Sequence, residues 1–427
     1  MGEPEKIYVM ARREGAVYSF LLHGGKAVEI HCDDDSAQSL LGNIYIGKIK
    51  NIAKNMGAAF VEIEPGTVCH LALKDIKNPI YTKKGSSKNP QAGDELLVQV
   101  CREGIKSKYP SVTTNLTFAG KYVLLTSGDT SVSVSSKLAK EEKQKLSEKM
   151  KQIGRALKES VQMRMDEESE REAQAAKKTV PCGWLVRTNA GGVDEQFLQD
   201  DAERLYGQFH ALVKTAAYRS CFSCLLRTPP SYLKRLQNLY SSEANRIITD
   251  DVPLYEEIKQ YLTEFQAEDL DRLSLYQDRL LPMNKLYSLG TQLERALSER
   301  VWLKSGGYLV IQPTEALTAI DVNTGKYEGG KNQEAAFLKI NKEAAAETAR
   351  QLRLRNISGI IIVDFINMKS KESVSELMRV LDRELKKDPV PAVLVDMTRL
   401  SLVEITRKKQ EKPLYQTKAL DKHTLQW

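Results

Sequence analysis

Alternation of apolar and polar residues marks two strand-rich segments at the start of the chain. Residues 5–30 alternate on either side of the turn His23-Gly24-Gly25, a pattern that predicts a small antiparallel sheet. From Leu41 to about residue 120, short apolar runs separated by Gly, Pro and Asn predict five closely spaced strands. Such a series is typical of a small closed barrel of the OB type.

Segments with helical periodicity follow. Residues 137–178 carry many opposite charges four positions apart and few apolar residues, so we expect one or two helices that lie mainly on the surface. Residues 194–228 form an amphipathic segment that predicts further helix. Another helix is predicted to begin near Gly290-Thr291 and to end around residues 305–307.

The stretch from Gly307 to Met368 combines both patterns, and the rest of the chain is organised around it. Tyr308–Ile311 and Leu317–Val322 are rich in β-forming residues and are separated by Gln-Pro-Thr-Glu, which predicts a hairpin. Apolar residues at helical spacing predict a helix between Asn332 and Leu354. Ile360–Val363 is continuously apolar, as a central strand covered on both faces would be.

An acidic residue stands at the end of each of the last two strands. Asp321 closes the second strand of the hairpin and Asp364 directly follows the third, so a strand, helix, strand crossover would bring them to neighbouring strand ends. A carboxylate beside such an apolar run must be paired, protonated or bound to a cation. Oxygen ligands from one or two carboxylates suit Mg²⁺, and Asn323 leaves the strand on the same side as Asp321. The structural alternative is that these acids cap helices or pair with arginine.

Composition bounds the class of protein. The 427 residues are 41% hydrophobic and 28% charged, which is typical of a globular protein and predicts about two to four domains. The net charge of +7 permits nucleic-acid binding without demonstrating it. No apolar run approaches the ~20 residues of a transmembrane helix, and the N-terminal segment lacks the apolar core of a signal peptide. We therefore expect no membrane span and a cytoplasmic protein.

The six cysteines are scattered apart from the pair Cys221-Phe-Ser-Cys224. Such a pair can be half of a zinc site or a redox pair, but the sequence has no second pair to complete a zinc site. Ordinary reduced thiols are the alternative that composition favours.

Three segments resemble the catalytic domain of the ribonuclease E/G family: TEALTAIDVNTG, AAAETARQLRLRNISGIIIVDFINM and SLVEITRKK. The resemblance is strongest from Leu286 to Lys409 and extends more weakly over nearly the whole chain. It implies that Asp321 and Asp364 hold a catalytic Mg²⁺ and that the amide of Asn323 supports them by hydrogen bonding. It also implies an endoribonuclease of RNA processing and decay, which cuts single-stranded RNA and leaves 5′-phosphate and 3′-hydroxyl ends.

The resemblance further implies an α+β multidomain architecture. A split RNase H-like domain would be interrupted by an S1-type OB-fold barrel and a 5′-sensor region, and a DNase I-like α/β catalytic domain would follow. The implied bounds are 1–40 and 230–296 for the RNase H-like domain, 41–120 for the barrel, 121–229 for the sensor region, 297–408 for the catalytic domain and 409–427 for a C-terminal tail.

Three residues of the barrel match family positions that contact RNA. Phe60 and Lys108 stand where the family stacks a base and contacts phosphate, and His70 stands where a second aromatic residue occurs. These residue types suit RNA because bases stack on aromatic rings and cations attract phosphate. The alternative for Phe60 is a place in the barrel core.

Arg187 and Thr188 follow a short apolar strand and precede Gly191-Gly192. A planar guanidinium beside a hydroxyl can bind the oxygens of a phosphate. The resemblance assigns this pair to sensing the 5′-monophosphate of RNA. We therefore expect faster cleavage of RNA that carries a 5′-monophosphate than of the matching 5′-hydroxyl RNA.

The expected partner is single-stranded RNA. Family members carry a C-P-x-C segment through which two subunits share a zinc ion, and residues 409–427 contain none, so we expect a homodimer or higher oligomer to lack that link. One alternative function is a non-catalytic RNA-binding protein that uses the S1-type barrel. Another is a DNA-directed nuclease, because Mg²⁺ and phosphate are common to both substrates.

Overall fold

The computed structural model describes residues 5–35, 39–85, 87, 89–104, 109–167, 180–237, 245–325 and 333–417, with the backbone alone for 161–167. The chain divides into two compact units. The first comprises Met1–Ala37, Ser241–Thr263 and Ala267–Trp427, and the second comprises Gln38–Tyr240 and Glu264–Gln266.

Strands predominate in the first half of the chain and alternate with helices in the second half. Strands β1–β3 are Lys6–Arg13, Ala16–His23 and Lys26–Asp34. Strands β4–β9 are Ile44–Ala53, Ala58–Glu64, Thr67–Ala72, Tyr81–Lys83, Glu95–Arg102 and Ser111–Thr113. Strands β10–β14 are Thr117–Ala119, Val123–Ser127, Val132–Val134, Cys182–Val186 and Cys224–Leu226. Strands β15–β22 are Arg246–Thr249, Leu273–Leu275, Arg300–Trp302, Tyr308–Pro313, Leu317–Asn323, Gly359–Asp364, Ala392–Met397 and Leu402–Arg407. Helices α1–α8 are Lys140–Glu167, Glu195–Ala216, Ser231–Leu236, Val252–Phe265, Met283–Leu286, Leu289–Leu297, Gln333–Leu354 and Lys371–Leu385.

A mixed sheet of order β16-β15-β1-β2-β3 opens the first unit. Its strands β1 to β3 are antiparallel neighbours, as the alternating pattern predicts, while β15 and β16 add in parallel. The turn between β2 and β3 holds Gly24 and Gly25 at φ +55° and +75°, a conformation that glycine adopts without steric cost. Phe20 and Leu22 of this sheet are buried in one apolar cluster with Leu289 and Leu293 of α6.

The second sheet of the first unit has the order β17-β18-β19-β20-β22-β21. The predicted hairpin is β18 and β19, and α7 links β19 to the parallel strand β20, so the predicted crossover is confirmed. Helices α7 and α8 cover one face, where Ile320 and Ile361 are buried against Ala344 and Leu381. The opposite face, which we call the open face, leaves side chains such as Ile360 half exposed within the described residues. The prediction that Ile360–Val363 is covered on both faces is therefore wrong.

The predicted helix from residue 290 to about 305 is also shorter than expected. Helix α6 ends at Leu297, and Ser298 adopts an extended conformation with φ −67° and ψ 135°. The chain then forms β17, whose Val301 pairs with Leu309 of β18. Antiparallel pairing with the next strand along the chain, across the short connection 303–307, decides the structure of this segment and overrides its helical periodicity.

In the second unit, β4, β5, β6, β9 and β8 close into a barrel through the pairing of β4 with β8. Ile49, Val61, Leu71, Val98 and Val112 are buried inside it. The predicted closed barrel is thus confirmed and is OB-like.

A further sheet of order β10-β11-β13-β12 packs in the second unit against α1 and α2. Helix α1 is highly charged, and Met150 and Ile153 are buried residues on it. Residues 168–178 of the predicted surface helices lie outside the described residues. The predicted helix 194–228 ends early, because α2 stops at Ala216 and β14 pairs with β4.

Two ion pairs stabilise the first unit from within. Arg407 and Asp388, both nearly fully buried, pair through Nε and Oδ2 at 2.7 Å, and Arg407 Nη1 also donates to the Asn356 side chain at 2.9 Å. Glu29 of β3 pairs with Arg353 of α7. Burial alone would raise the pKa of Glu29, but its contacts with His31 and Arg353 outweigh burial and lower that pKa to about 2.

Within the part of the chain that the structure describes, no helix combines the length and the apolar character needed to cross a membrane.

Candidate active site

Asp321 and Asp364 lie directly opposite each other on neighbouring parallel strands. Asp321 of β19 is the register partner of Asp364, the last residue of β20. Register partners of adjacent strands point to the same face, and the strands lie about 4.8 Å apart. Because that face is the open one, both carboxylates are exposed to solvent. The sequence correctly predicts that the two acids lie at neighbouring strand ends. Their proximity comes from the register of the two strands and not from burial.

Asn323 is the third member of the site. Its side-chain Nδ2 donates a hydrogen bond of 2.7 Å to Oδ2 of Asp321. Strand β19 ends at Asn323, and the chain then turns through Gly325 at φ +65°. A Cβ at Gly325 would lie 2.1 Å from the carbonyl oxygen of Gly306, so only glycine fits there. The turn therefore fixes where the strand stops and which way Asn323 faces.

The ligands that the described residues of this site offer are oxygen atoms. Among the described residues, no three His, Cys, Asp or Glu side chains cluster closely enough to form a complete metal cage. Two carboxylates held side by side, one of them oriented by an amide, match the partial ligand set that Mg²⁺ accepts when water and phosphate complete its shell. The donor set thus fits Mg²⁺ and lacks the sulfur and nitrogen ligands that zinc prefers.

Aromatic and cationic residues that the sequence pattern did not reveal lie on the same open face. Tyr308 of β18 is the register partner of Asn323, and Trp302 of β17 is the register partner of Tyr308. The two ring centroids are 5.1 Å apart. The guanidinium of Arg300 lies 4.6 Å from the centre of the Tyr308 ring. The predicted helix end at residues 305–307 hid this strand, although the alternation Arg-Val-Trp could have revealed it.

Phe60 and His70 are register partners on β5 and β6 of the barrel. Their ring centroids are 6.3 Å apart in a perpendicular arrangement, and Phe60 is half-buried outside the cluster that fills the barrel. Tyr109 joins them, with its ring centroid 5.9 Å from that of Phe60 and its side chain 58% exposed. These three rings form a surface aromatic cluster. Lys108 lies outside the described residues.

Arg187 and Thr188 follow β13 and contact the protein itself. Nη1 of Arg187 donates to the carbonyl oxygen of Gly120 at 2.7 Å. The hydroxyl groups of Thr188 and Ser135 are hydrogen bonded at 2.7 Å. The structure therefore brings the two predicted residues together in one loop and also gives each a structural contact.

The two glycines after this loop have local reasons to be glycine. A Cβ at Gly191 would lie 2.8 Å from Cδ2 of Leu138. Gly192 has φ +68°, and its N–H donates to Oε1 of Glu142 at 2.8 Å. Packing and backbone conformation therefore account for these glycines without any need for RNA to approach the backbone.

Cys221 and Cys224 have ordinary surroundings. Both are half-buried and reduced, and Cys224 lies in β14. Burial raises the pKa of the Cys221 thiol, which lowers its reactivity. A thiol held in its protonated form favours the reduced, structural alternative over a redox pair.

An OB-like barrel with a surface aromatic cluster, joined in one chain to a sheet that bears paired carboxylates, has the parts required of a metal-dependent enzyme that acts on nucleic acid. Comparison with known proteins makes the assignment specific. The sequence profile of the ribonuclease E/G family matches residues 117–410. This range includes Asp321, Asn323 and Asp364. The chain belongs to the ribonuclease E/G family.

Individual relatives cover almost the whole chain. Ribonuclease G of Escherichia coli is 30% identical over 404 residues, which is 91% of this chain and 76% of the relative. Ribonuclease E of Synechocystis sp. is 34% identical over 388 residues, 88% of this chain and 53% of the relative. The barrel strands, which precede the range matched by the family profile, are thus included in the similarity to ribonuclease G.

Proposed function

We propose that this protein is a Mg²⁺-dependent endoribonuclease that cleaves single-stranded RNA and leaves 5′-phosphate and 3′-hydroxyl ends. The observation that carries the proposal is the register pairing of Asp321 with Asp364, with Asn323 bonded to Asp321, in a chain of the ribonuclease E/G family. The relatives named ribonuclease G and ribonuclease E support RNA as the substrate.

Each residue of the site has a separate role in this proposal. Asp321 and Asp364 hold the metal, and Asn323 keeps the Asp321 carboxylate in one orientation through its 2.7 Å hydrogen bond. Bound there, Mg²⁺ would supply Lewis-acid stabilisation of the charge on the scissile phosphate. Because the pair is exposed on the open face, a phosphate of the RNA backbone can reach it directly.

We assign further RNA binding to the barrel. The cluster of Phe60, His70 and Tyr109 presents aromatic surface on which bases stack, and Lys108 would contribute positive charge. Tyr109 adds exposed aromatic surface where His70 alone would stack weakly. We further assign Arg187 and Thr188, which follow β13, to binding a 5′-monophosphate, because a planar guanidinium beside a hydroxyl can bind the oxygens of a phosphate.

The architecture belongs to the same proposal. The mixed sheet formed by β1 to β3 with β15 and β16 supports a split RNase H-like domain, and the sheet that carries the acid pair supports a DNase I-like catalytic domain. Cytoplasmic location and an oligomer without a shared zinc ion stay predictions.

Matched RNA and DNA oligonucleotides, labelled at the 3′ end and incubated with Mg²⁺ or with EDTA, test the function, because the labelled downstream fragment carries the new 5′ end. We expect the protein to cleave RNA in the presence of Mg²⁺ and not in EDTA, and we expect the products to carry 5′-phosphate ends. Binding without cleavage would support the RNA-binding alternative, and cleavage of DNA at a similar rate would support the DNA-directed alternative.

Substitution of one metal ligand tests the site. Asp364→Asn should nearly abolish cleavage and leave the affinity for RNA within a few-fold of the unmutated value, because the carboxylate binds the metal and does not contact the RNA chain. The matched control is Asp396→Asn, which removes an exposed carboxylate two strands away in the same sheet. Retained Mg²⁺-dependent cleavage in a folded Asp364→Asn protein would falsify the assignment.

A further inference from the structure

The open face carries an aromatic pair in the row next to the two acids. Across the sheet, Trp302, Tyr308 and Asn323 are successive register partners on β17, β18 and β19. With strands about 4.8 Å apart, Tyr308 is one strand from Asn323 and Trp302 is two strands away, roughly 10 Å. This distance is comparable to one or two nucleotides of extended RNA. A nucleotide whose neighbouring phosphate lies at the acid pair would therefore reach these rings.

Exposure and charge distinguish this pair from ordinary core residues. Trp302 is 64% exposed, although tryptophan is usually among the more buried residues of a protein. The rings of Trp302 and Tyr308 are inclined at 58°, so the indole keeps a surface available for stacking. The Arg300 guanidinium lies 5.8 Å from the Trp302 ring centre and 4.6 Å from that of Tyr308. Stacking surface and cation thus occur together, as single-strand binding requires.

A cleft lies between the edge strand β17 and helix α7, and Trp302 is the member of the pair that lines it. It has a volume of about 1140 Å³ and includes Arg300, Trp302 and Leu303 in its wall. The described residues of its lining include two carboxylates and six cations, the latter being Lys26, Arg295, Arg300, Lys304, Lys339 and Arg350.

Both carboxylates of the cleft are engaged by the protein. Glu343 accepts hydrogen bonds from the backbone N–H groups of Lys304 and Ser305. Glu347 is bonded to Arg350 and to Gln351. Among these described residues the six cations still outnumber the two carboxylates, so the cleft carries a net positive charge that attracts an anionic ligand such as a chain of phosphates.

We propose that Trp302 and Tyr308 stack on bases of the single-stranded RNA beside the cleaved bond, and that Arg300 and the cationic cleft bind the phosphates that follow. The inference rests on the proposed endoribonuclease function and adds a positioning site to it. The site would hold one flank of the substrate so that the scissile phosphate lies over Asp321 and Asp364.

Binding measured in EDTA tests the aromatic pair without requiring cleavage. The probe is a fluorescein-labelled single-stranded RNA oligonucleotide, followed by anisotropy. Loss of base stacking weakens binding by about 5- to 150-fold, and we expect Trp302→Ala to lie near the lower end because the ring is largely exposed. Trp302→Phe should stay within about two-fold, since phenylalanine also stacks. The matched control is Tyr218→Ala, which removes an equally exposed aromatic ring, 71% exposed, from the second unit.

Indole fluorescence and abasic RNA locate the contact. The chain has three tryptophans, of which Trp184 is buried. Unlabelled RNA should quench the indole fluorescence of the unmutated protein. If that quenching is absent in Trp302→Phe, it comes from Trp302. A series of oligonucleotides each lacks one base, at a different position along the flanks of the cleaved bond. For the unmutated protein, we expect binding to weaken when the base is missing at one particular position. The RNA that is abasic at that position should bind to Trp302→Ala with the same affinity as the intact RNA does. In cleavage assays the Trp302→Ala substitution should raise KM and leave kcat nearly unchanged.

The outcomes separate this inference from the proposed function. The positioning site is overturned, even if the protein cleaves RNA, by three results together. Trp302→Ala binds RNA with an affinity within two-fold of the unmutated protein, the substitution of Trp302 leaves the RNA-induced quenching unchanged, and the dependence of binding on the abasic position is the same in both proteins. Absence of cleavage by the unmutated protein, together with the expected binding results, overturns the endoribonuclease proposal and leaves an RNA-binding surface.

Discussion

Replacing Asn323 with alanine isolates the contribution of the amide to the acid pair. The substitution removes the 2.7 Å hydrogen bond to Oδ2 of Asp321 and leaves both carboxylates in place. Asn323 ends β19, and its register partner is Tyr308. Because the ladder bonds of β19 use backbone groups, the strand should persist in Asn323→Ala. The expected defect is therefore in the orientation of one carboxylate.

The size of the effect follows from the geometry. A hydrogen bond to a charged group makes a net contribution of about 1.5–3 kcal/mol in folded proteins. Asp321 is exposed, so water competes for the carboxylate and the effect should fall to about 1.4 kcal/mol, roughly tenfold in an equilibrium constant. Residues that orient metal ligands commonly contribute about 10- to 100-fold to metal affinity or activity. We therefore expect a defect near tenfold in apparent Mg²⁺ affinity.

Cleavage of labelled single-stranded RNA over a series of Mg²⁺ concentrations measures this effect. Asn323→Ala should need about tenfold more Mg²⁺ for half-maximal rate and should approach the unmutated rate when Mg²⁺ is saturating. The control is Thr406→Ala, an exposed residue of β22 in the same sheet. A lower maximal rate with unchanged Mg²⁺ dependence would refute the reasoning, because Asn323 would then act on the substrate and not on Asp321.

Four further expectations concern RNA binding and stability. Phe60→Ala should weaken single-strand binding by about 1–3 kcal/mol at unchanged Tm, since Phe60 lies outside the barrel core; a large fall in Tm would mark it as core. Arg187→Ala should remove the faster cleavage of 5′-monophosphate RNA without changing the rate on 5′-hydroxyl RNA; equal rates on both ends in the unmutated protein would contradict sensing. Asp388→Asn should lower the free energy of unfolding in urea by about 3–5 kcal/mol, because Arg407 would keep a buried charge without its partner; a change below 1 kcal/mol would contradict this. The pKa of Glu29, about 2 in the folded protein, lies below its ordinary value, so its stabilisation should be present above about pH 4.5 and be lost as pH falls toward 2; an unchanged pH dependence of Tm in Glu29→Gln would refute it.

The hairpin and crossover around the acid pair were predictable because their information is local. Alternation specifies β18 and β19, helical spacing specifies α7, and a right-handed crossover returns the chain to a neighbouring parallel strand. Once the strands are placed, the positions of Asp321 and Asp364 at their ends follow. The closed barrel was predictable for the same reason, since punctuation by Gly, Pro and Asn marks each short strand.

Coverage of a sheet face was not predictable in this way. The run Ile360–Val363 is apolar throughout, yet Ile360 is half exposed because α7 and α8 both pack on the opposite face. The side on which a crossover helix packs is a tertiary property, which the apolar content of one strand does not encode. Trp302 was missed for a different reason, because the helix predicted to end at residues 305–307 covered the short strand that pairs with β18 in a local hairpin. Tyr109 was missed because its role comes from proximity to Phe60.

The acid pair is exposed because helices cover only the other face of the sheet, and this exposure has two effects. Carboxylates in water hold a cation less tightly than carboxylates in a dry interior, because solvent screens the attraction. Mg²⁺ commonly completes its ligand shell with water and substrate phosphate, so a weak protein grip suits a site where the polymer supplies the remaining ligands. In the proposed arrangement, the open face that weakens the grip would also admit an RNA strand lengthwise, from the acid pair toward Tyr308 and Trp302. A second layer of helices on that face would cover the acid pair and close this path.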